Sequence, residues 1–477
     1  MKLSKSSLDR VLTAFAELDL GDPRRTRRVM RTVENLASNP RASFPDAMGS
    51  EADIEGAYRL MSSHHVTMEA LNEAHAKATA KRALAARRVL ALHDTTTFEF
   101  RHADAKEVGY LNTGEAGFFG HYTLVVNADD SHQPLGIAHV EDFRRAKPPS
   151  KPSVKGHLKR KRSGAETVLD PARESTRWLR GFQASNQRLE GVEVIHVADR
   201  EGDNYDLIAQ AVARGYRFVI RARVLSRRVE GPDGDFETLR EVIAGPAGKI
   251  KREVQLSARK QPSAPRSSHK KRDARSAKLA FSATTVIFRR PRYQSVSLPE
   301  EVEVNVVRVF EPNPPRGEEP VEWVLLTSEP IATKRDVVSI VDIYRARWLI
   351  EECNKALKTG CRYEDRQFES RDALLTLLAM TLPIAVELLW LRAACRSNPN
   401  SPATDVLTPL QLKILVKMGS RKLPPRATVH DALWAIAALG GHMKTNGEPG
   451  WLVLHRGMTK LFAYEEGWRA RENSLDL

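Results

Sequence analysis

The sequence contains few cysteines, and their spacing offers no covalent or metal-bound framework. Its three cysteines are Cys353, Cys361 and Cys395, an odd number in which no two are spaced as a CxxC pair. This usage argues against a disulfide scaffold, a cysteine-ligated metal site and thiol chemistry. It fits a protein kept in a reducing compartment.

Long apolar runs are also scarce. The most apolar stretch, residues 373–391, is interrupted by Pro383 and Glu387 and has only the minimum length of a membrane span. We therefore predict a buried helix or helix pair at this place. The first residues are charged and amphipathic and resemble no signal peptide, so we expect a cytoplasmic protein.

Basic residues, by contrast, are in large surplus. Seventy-five Lys and Arg against 60 Asp and Glu give a formal net charge of +15 over 477 residues. Such a surplus attracts phosphate polyanions or acidic membrane surfaces, although a solvated basic surface explains it equally. The length predicts two to four structural units, and nucleic acid is the first partner to test.

Residues 1 to about 75 have the apolar spacing of short helices. Between two apolar stripes, Asp22 is predicted to cap a helix that Pro23 opens. The first turns of this helix carry Arg24, Arg25, Arg27 and Arg28. Such a cluster can meet a phosphate backbone, and a solvated helix face is the alternative.

From about residue 86 the pattern changes to strands alternating with helices. Strands are predicted at 89–94, 121–127, 135–140 and 192–199, and helices at 176–189 and 205–214. The first and fourth strands each end in an acid, Asp94 and Asp199. The order predicts an α/β fold with a mixed sheet and helices on its faces, and active groups commonly lie at the strand ends of such sheets.

A β-rich segment at about 217–330 interrupts this pattern and is interpreted as an insertion. Its candidate strands are 217–224, 279–289, 301–310 and 321–328. Two basic tracts, 147–162 and 258–278, are predicted to be loops whose roles stay open. The predicted domains are therefore 1–75 (helical), 76–370 (α/β core with the insertion) and 371–477 (helical).

The stretch 342–358 is predicted to be one amphipathic helix. At about 100° per residue, one face collects six residues: Tyr344, Arg347, Trp348, Glu351, Lys355 and Lys358. Ordinary ion pairs would explain Glu351 with either lysine. They would not explain the whole column together with two acids at strand ends. Oxygen ligands for divalent metals beside cations for a phosphate are what phosphoryl transfer requires.

The spacing Tyr344-x-x-Arg347-x-x-x-Glu351-x-x-x-x-x-x-Lys358 resembles the signature of bacterial DDE transposases of the insertion-sequence-four family. Wider similarity to the transposon-five type runs from about residue 19 to 451. Its blocks include Leu20-Gly21-Asp22-Pro23-Arg24-Arg25, Glu55-Gly56-Ala57-Tyr58-Arg59, Asp94-Thr95-Thr96, Asp199-Arg200-Glu201, Arg217-Phe218-Val219, Trp323 before Leu325-Leu326-Thr327-Ser328-Glu329-Pro330, and Leu439-Gly440-Gly441. Each block is weak alone, but their order and combination are specific.

The resemblance implies a ribonuclease H-like core between an N-terminal domain that binds DNA ends and a C-terminal dimerisation domain. It makes Asp94, Asp199 and Glu351 the catalytic residues and metal ligands for two Mg²⁺ ions, with Mn²⁺ able to substitute. The DNA contacts that it implies are Tyr344, Arg347, Lys355, Lys358, Trp323, Arg221, Arg28 and Arg25.

The reaction implied by the family is excision of transposon ends by nicking, hairpin formation and hairpin opening, followed by strand transfer into target DNA. A homodimer would bridge two double-stranded DNA ends, and an apolar stripe at 433–443 is its candidate interface or, equally, intramolecular core. The alternatives are a metal-dependent nuclease on the same fold and, from another class, a catalytically inactive DNA-binding regulator or a decayed transposase. The intact acid triad argues against decay.

Neighbouring residues compete for these roles. Glu352 lies about 100° round the helix from Glu351 and leaves the polar column. Glu201 and Asp203 are predicted to lie in the turn beyond Asp199. His93 and His196 adjoin or lie near the strand-end acids, and we interpret both as packed structural residues.

Overall fold

The computed structural model describes residues 4–147, 174–256, 258, 271–443 and 449–475. It divides into two compact units. Unit 1 comprises Met1–His157, Ala184–Glu193 and Trp348–Leu477, and unit 2 comprises Leu158–Gln183 and Val194–Arg347. These units cut across the three domains expected from the sequence, whose boundaries stay a prediction. The basic tracts fall mostly at 148–173 and 259–270, outside the described residues.

The helices and strands of the described residues are named in chain order. The helices are α1 Ser4–Thr13, α2 Pro23–Ser38, α3 Phe44–Ala47, α4 Glu51–Met61, α5 Met68–Ala86, α6 Ala105–Val108, α7 Arg177–Arg188, α8 Tyr205–Ala213, α9 Leu239–Ala244, α10 Lys334–Ala346, α11 Trp348–Lys355, α12 Arg371–Ser397, α13 Pro409–Met418, α14 Val429–Leu439 and α15 Trp451–Leu475. The strands are β1 Arg88–Glu99, β2 Gly117–Asn127, β3 Pro134–Phe143, β4 Glu193–Ala198, β5 Arg217–Arg221, β6 Arg228–Glu230, β7 Phe236–Thr238, β8 Ile250–Leu256, β9 Arg275–Arg289, β10 Glu301–Phe310 and β11 Glu322–Thr327.

Helix α2 of unit 1 begins where the sequence predicts. The Asp22 carboxylate accepts a hydrogen bond from the Arg24 amide at 2.8 Å, and Pro23 opens α2. Val29, Val33 and Leu36 form the buried stripe of this helix. Burial of this stripe leaves the arginines of α2 on its other faces, as expected for an amphipathic helix.

In unit 1, β1, β2 and β3 form an antiparallel sheet in the order β3-β2-β1. The prediction that β1 ends at Asp94 is wrong, because the strand continues to Glu99 and pairs with β2 over its whole length. The three threonines that follow Asp94 explain the extension, since β-branched residues favour strands. Asp94 therefore lies in the middle of β1, directly opposite Tyr122.

The long helix α12 confirms the predicted buried helix, as a single element that contains Pro383. It is long and apolar enough to cross a membrane by composition, yet 83% of its most apolar window is buried inside the protein. Such burial is typical of the core helix of a globular protein. Beyond it, residues of α13, α14 and α15 form a further apolar cluster that includes Ile414, Ile436 and Leu461.

The sheet of unit 2 is mixed. Strands β4 and β5 are parallel and are joined through α8, whereas β5 pairs antiparallel with β11. From β11 the sheet continues antiparallel through β10 and β9, and β9 also pairs with β6 and β8. The predicted β-rich segment is thus confirmed, and the helices and mixed sheet confirm the α/β class. Its core contains Trp178, Phe182, Phe218 and Phe288.

Candidate active site

Asp94 is held by a hydrogen-bonded chain within unit 1. The Asn354 amide Nδ2 donates to Asp94 Oδ2 at 2.9 Å, and the Tyr122 hydroxyl donates to Asn354 Oδ1. Tyr122 is fully buried, and burial raises the pKa of its hydroxyl well above the ordinary value. The hydroxyl therefore remains a hydrogen-bond donor. Asn354 was not recognised from the sequence.

The predicted single helix over 342–358 is wrong, because the structure divides it. Helix α10 ends at Ala346, α11 begins at Trp348, and a π-helical turn follows at Ala356–Gly360. At the break, the Arg347 amide donates to the Tyr344 carbonyl at 3.1 Å. This bond spans three residues, as in a 3-10 helix, whereas α-helical bonds span four. A uniform 100° per residue therefore fails across this stretch. Tyr344 and Arg347 belong to unit 2, and the four later residues of the predicted column belong to unit 1.

In unit 1, Glu351 and Asn354 lie three residues apart in α11 and thus share a face of the helix. Asn354 contacts Asp94 on that face, so Glu351 lies one turn from the contact. Glu352 points elsewhere. Its buried carboxylate lies 2.7 Å from Arg392 and 3.3 Å from Lys355, which agrees with the prediction that Glu352 leaves the polar column.

The two lysines of the predicted column make contacts within unit 1. The Lys355 ammonium lies 4.6 Å from the centre of the Trp348 ring, and about half of the Trp348 side chain is exposed. Lys358 donates to the Thr97 carbonyl and lies 3.1 Å from Glu364 Oε1. Their roles as DNA contacts stay predictions.

In unit 2, Asp199 follows the last residue of β4, as predicted. Its carboxylate accepts from the Glu201 amide at 2.8 Å and caps the short helix Arg200–Gly202. The two rival acids are engaged elsewhere. Glu201 forms an ion pair with Arg177 at 2.5 Å, and buried Asp203 accepts from the Arg223 amide at 2.6 Å. Asp203 also pairs with Arg227 at 2.6 Å and so holds the segment that follows β5.

Four of the predicted DNA contacts come together in unit 2. The ring centres of Trp323 and Tyr344 are 5.5 Å apart, and the rings meet edge to face at 68°. The Arg221 guanidinium lies 5.9 Å from the Trp323 ring, and that of Arg347 lies 5.8 Å from the Tyr344 ring. Cationic and aromatic groups at these separations attract each other. Tyr344 is nevertheless buried, which corrects its predicted place on an exposed polar face.

Burial dominates the electrostatics of this cluster. It raises the pKa of the Tyr344 hydroxyl, against the opposite effect of Arg347 and Arg221. Burial also lowers the pKa of Arg221, and the positive charges of Arg200 and Arg347 lower it further. Clustered like charges of this kind favour the binding of an anion.

A cavity of about 600 Å³ adjoins Arg221 in unit 2. Four arginines line it: Arg200, Arg221, Arg223 and Arg240. Glu322 also lines it, and its carboxylate lies 2.8 Å from Arg308 and 3.9 Å from Arg240. Sequence analysis missed the other three arginines. Arg223 offered a signal, because it lies two residues after Arg221, the spacing that places side chains on the same face of a strand.

The N-terminal arginines of unit 1 make contacts within the protein. Arg28 pairs with Asp53 at 3.0 Å and packs over Gly56, where an added Cβ would lie 2.6 Å from the guanidinium. Arg25 donates to the Leu20 carbonyl at 3.1 Å. Both side chains remain partly exposed. Their predicted contacts with DNA ends stay untested.

The donor chemistry fits Mg²⁺ or Mn²⁺, which prefer carboxylate oxygens. Unit 1 supplies two of the predicted ligands, Asp94 and Glu351, and unit 2 supplies Asp199. Within either unit, the described residues contain no group of three His, Cys, Asp or Glu side chains able to hold a metal ion. Neither unit alone therefore supplies the complete predicted ligand set.

The interpretation of His93 and His196 as packed residues is confirmed, because both are fully buried. His93 Nδ1 lies 2.9 Å from the Thr123 hydroxyl. His196 stacks on Phe182 with ring centres 4.0 Å apart, and burial lowers the pKa of His196 to about 3.

The apolar stripe at 433–443 is used largely within unit 1. Ala435, Ile436 and Leu439 belong to the C-terminal apolar cluster, with Leu433 packed against it. Met443 is 63% exposed. Intramolecular core, one of the two interpretations of this stripe, therefore accounts for most of it.

Comparison with known proteins defines the class. Residues 11–66 match the family model for transposase DNA-binding domains, and residues 155–385 match the model for the transposase DDE domain. The chain thus matches a DNA-binding model and a DDE-domain model, both of transposases. The DDE match includes Asp199 and Glu351, whereas Asp94 precedes it. Together with the mixed sheet and the helical terminal regions, it confirms the ribonuclease H-like fold class.

Among solved structures, the chain is similar to a piggyBac transposase synaptic complex with hairpin DNA, determined by cryo-EM. The two chains are 10% identical with a TM-score of 0.33, over 83% of this chain and 74% of the other. A likeness of this degree carries no argument about fold or function.

Proposed function

We propose that this protein is a cut-and-paste transposase of the insertion-sequence-four family, with Asp94, Asp199 and Glu351 as its catalytic carboxylates. The observation that supports this most is the Asn354 hydrogen bond, which joins the face of α11 that carries Glu351 to Asp94. The match to the DDE domain model includes the third acid, Asp199, as well as Glu351. The rival acids Glu201, Asp203 and Glu352 are each held in an ion pair with an arginine.

The three carboxylates would hold two divalent metal ions, Mg²⁺ or Mn²⁺. Bound metal ions of this kind polarise phosphoryl oxygens and lower the pKa of an attacking water. The side chains of this chain bind and orient the DNA. We assign phosphate contacts at the site to Tyr344, Arg347, Lys355, Lys358 and Arg221, and base stacking to Trp323.

The arginine-lined cavity extends this proposed DNA surface. Arg200, Arg223 and Arg240 give it a positive potential that favours backbone phosphates. At the other end of the chain, Arg25 and Arg28 lie within the transposase DNA-binding match and are proposed to contact the transposon ends. Phosphate contacts from the cavity and from the N-terminal arginines would fix the position of the DNA, and base contacts would give sequence specificity.

The proposed reaction proceeds through in-line attacks on phosphodiesters, so one site can carry out every step. Water nicks the transposon end, and the freed 3′-hydroxyl attacks the opposite strand to give a hairpin. Water reopens the hairpin, and the same hydroxyl attacks target DNA. A homodimer in the bacterial cytoplasm would hold two ends together at the nucleoid.

The test is cleavage of DNA that contains the ends flanking the gene, with Mg²⁺ present. Asp94→Ala, Asp199→Ala and Glu351→Ala should each abolish cleavage and leave end binding, measured by gel shift, near the wild-type level. Asp372→Ala removes a 92% exposed acid in the first turn of α12 and should change neither. Near-normal cleavage by all three catalytic variants would refute the assignment.

Two other functions predict different products. A metal-dependent nuclease on this fold would cut the ends but yield no strand-transfer product in a plasmid assay. A catalytically inactive regulator would bind the ends without cutting them. Joined products that depend on all three acids are expected of the transposase alone.

A further inference from the structure

The side chain of Asn354 bridges Asp94 and Tyr122, two residues of the unit 1 sheet, in one defined orientation. Asp94 and Tyr122 are directly opposite each other in the β1–β2 ladder, so their side chains project from the same face of the sheet. Asn354, from α11, lies between them. Its Nδ2 group donates to Asp94 and its Oδ1 atom accepts from the Tyr122 hydroxyl.

The chemistry of the partners fixes this orientation. An ionised carboxylate can only accept hydrogen bonds, so it requires the NH₂ end of the amide. The remaining carbonyl end then suits a hydroxyl donor, which Tyr122 supplies. A flipped amide would place two acceptors, Oδ1 and the carboxylate, against each other. The Asp94 carboxylate therefore selects the amide orientation, and the Tyr122 hydroxyl holds the carbonyl end of that amide in place.

The surroundings hold the chain of hydrogen bonds rigid. Tyr122 is 1% exposed, and Cys353, the neighbour of Asn354, is fully buried against it. Close packing of the tyrosine ring fixes the position of its hydroxyl oxygen beside the amide. The hydrogen bond from Asn354 thus holds Oδ2 of Asp94 in one direction.

We infer that Asn354, itself held in place by Tyr122, is a positioning residue that sets the Asp94 carboxylate for metal binding. The inference rests on the proposed function, because it assumes that Asp94 is a metal ligand. Partners that hydrogen-bond to a ligating carboxylate typically contribute 10- to 100-fold in metal affinity.

The experiment measures Mn²⁺ affinity of the full-length protein by electron paramagnetic resonance, without DNA. Asn354→Leu removes the amide at similar volume and should weaken Mn²⁺ binding by about 10- to 100-fold. Tyr122→Phe removes one oxygen atom and should weaken it by a smaller factor. Circular dichroism melting of each variant separates a loss of folding from a loss of metal affinity.

The control is Asn305→Leu. Asn305 is also partly buried and makes two hydrogen bonds, donating to the Glu329 carbonyl at 2.9 Å and accepting from Thr285 at 2.8 Å. A general effect of losing a bonded asparagine would appear in this variant too. We expect Mn²⁺ affinity at the wild-type level.

A double variant tests whether Tyr122 acts through Asn354. In the Asn354→Leu protein, Tyr122→Phe should cause no further loss of Mn²⁺ affinity, because the two residues then form one unit. Independent, additive losses would overturn the relay from Tyr122.

Asp94→Ala separates the two hypotheses. If it loses Mn²⁺ while Asn354→Leu and Tyr122→Phe both bind as the wild type does, the positioning role is wrong and the proposed function stands. If Asp94→Ala binds Mn²⁺ as tightly as the wild type, the proposed function itself fails.

Discussion

Two adjacent acids, Glu351 and Glu352, face different surroundings on one short helix. Glu352 is 4% exposed and lies 2.7 Å from Arg392, whose side chain is also largely buried. Removing one partner of a buried ion pair leaves the other charge without compensation, at a cost of roughly 3 to 5 kcal/mol. Glu351, by contrast, is the proposed catalytic carboxylate and metal ligand.

We therefore predict opposite results for the two alanine variants. Glu352→Ala should lower the free energy of unfolding by roughly 3 kcal/mol. Glu351→Ala should abolish DNA cleavage. Urea unfolding and end cleavage, measured on both proteins, check the pair. A stable Glu352→Ala protein would show that the Arg392 ion pair contributes little.

Buried histidines predict acid sensitivity. An unfolded histidine has a pKa near 6.5, whereas burial lowers the pKa of His196 to about 3 and that of His75 to about 3. Between these values the unfolded chain takes up protons that the folded chain does not. The contribution of these neutral histidines to the free energy of unfolding is therefore present at pH 7 and is lost as the pH falls through 6.5 towards 3.

His196→Phe should reduce this acid sensitivity. The substitution keeps a ring to stack on Phe182 but removes the titrating group. Between pH 7 and pH 5, wild type should lose about 2 kcal/mol more of its free energy of unfolding than the variant. Urea titrations at both pH values measure the difference. Equal losses in both proteins would assign the acid sensitivity to other groups.

At the scale of elements, α14 and α15 meet through glycines. A Cβ added at Gly457 of α15 would lie 1.8 Å from the Ile436 carbonyl of α14, and one at Gly440 would lie 1.8 Å from the Val453 carbonyl. Both distances are far inside van der Waals contact. The backbones of the two helices therefore pack directly against each other.

Gly457→Ala should destabilise the protein despite the higher helix propensity of alanine. Alanine gains up to about 1 kcal/mol over glycine within a helix, but here the two helices must separate. Gly467→Ala is the matched control, because nothing lies within 4 Å of its added Cβ in the same helix. We expect the melting temperature to fall for Gly457→Ala and to rise slightly for Gly467→Ala.

Local patterns explain which elements could be predicted from the sequence. The cap at Asp22 with Pro23, the strand that ends before Asp199 and the buried helix α12 all follow from adjacent residues. The extension of β1 could also have been predicted, because three threonines continue the strand pattern beyond Asp94.

The division of the helix at Arg347 could not be predicted in this way. Residues 342–358 contain neither glycine nor proline, so no local signal marks the break. The break coincides in the sequence with the boundary between the two units, which the local pattern does not mark. Asn354 escaped notice for a related reason: its partner Tyr122 lies 232 residues away in the sequence.

At the scale of the whole molecule, the net charge of +15 predicts DNA binding that weakens steeply with salt. Arg200 and Arg223 are exposed and line the cavity beside Arg221. Each arginine that contacts a phosphate of duplex DNA adds about 0.9 to the slope of log affinity against log salt.

The double variant Arg200→Ala/Arg223→Ala should reduce that slope by roughly 1.8. Fluorescence anisotropy with end DNA, at salt concentrations from about 50 to about 200 mM, measures this slope. The control Arg228→Ala/Arg289→Ala removes two arginines of unit 2 that bond to Phe236 and Glu230. An equal reduction in both double variants would assign the effect to total charge.

The order in which the chain is synthesised sets when each unit can fold. Unit 1 is assembled from three separate segments, and the last of them is Trp348–Leu477. Unit 2 is complete once Arg347 has left the ribosome. Because domains fold as units during synthesis, the partner of Asp94 in α11 arrives only after the whole of unit 2, and a nascent chain stopped at Arg347 carries Asp94 without Asn354 or Glu351.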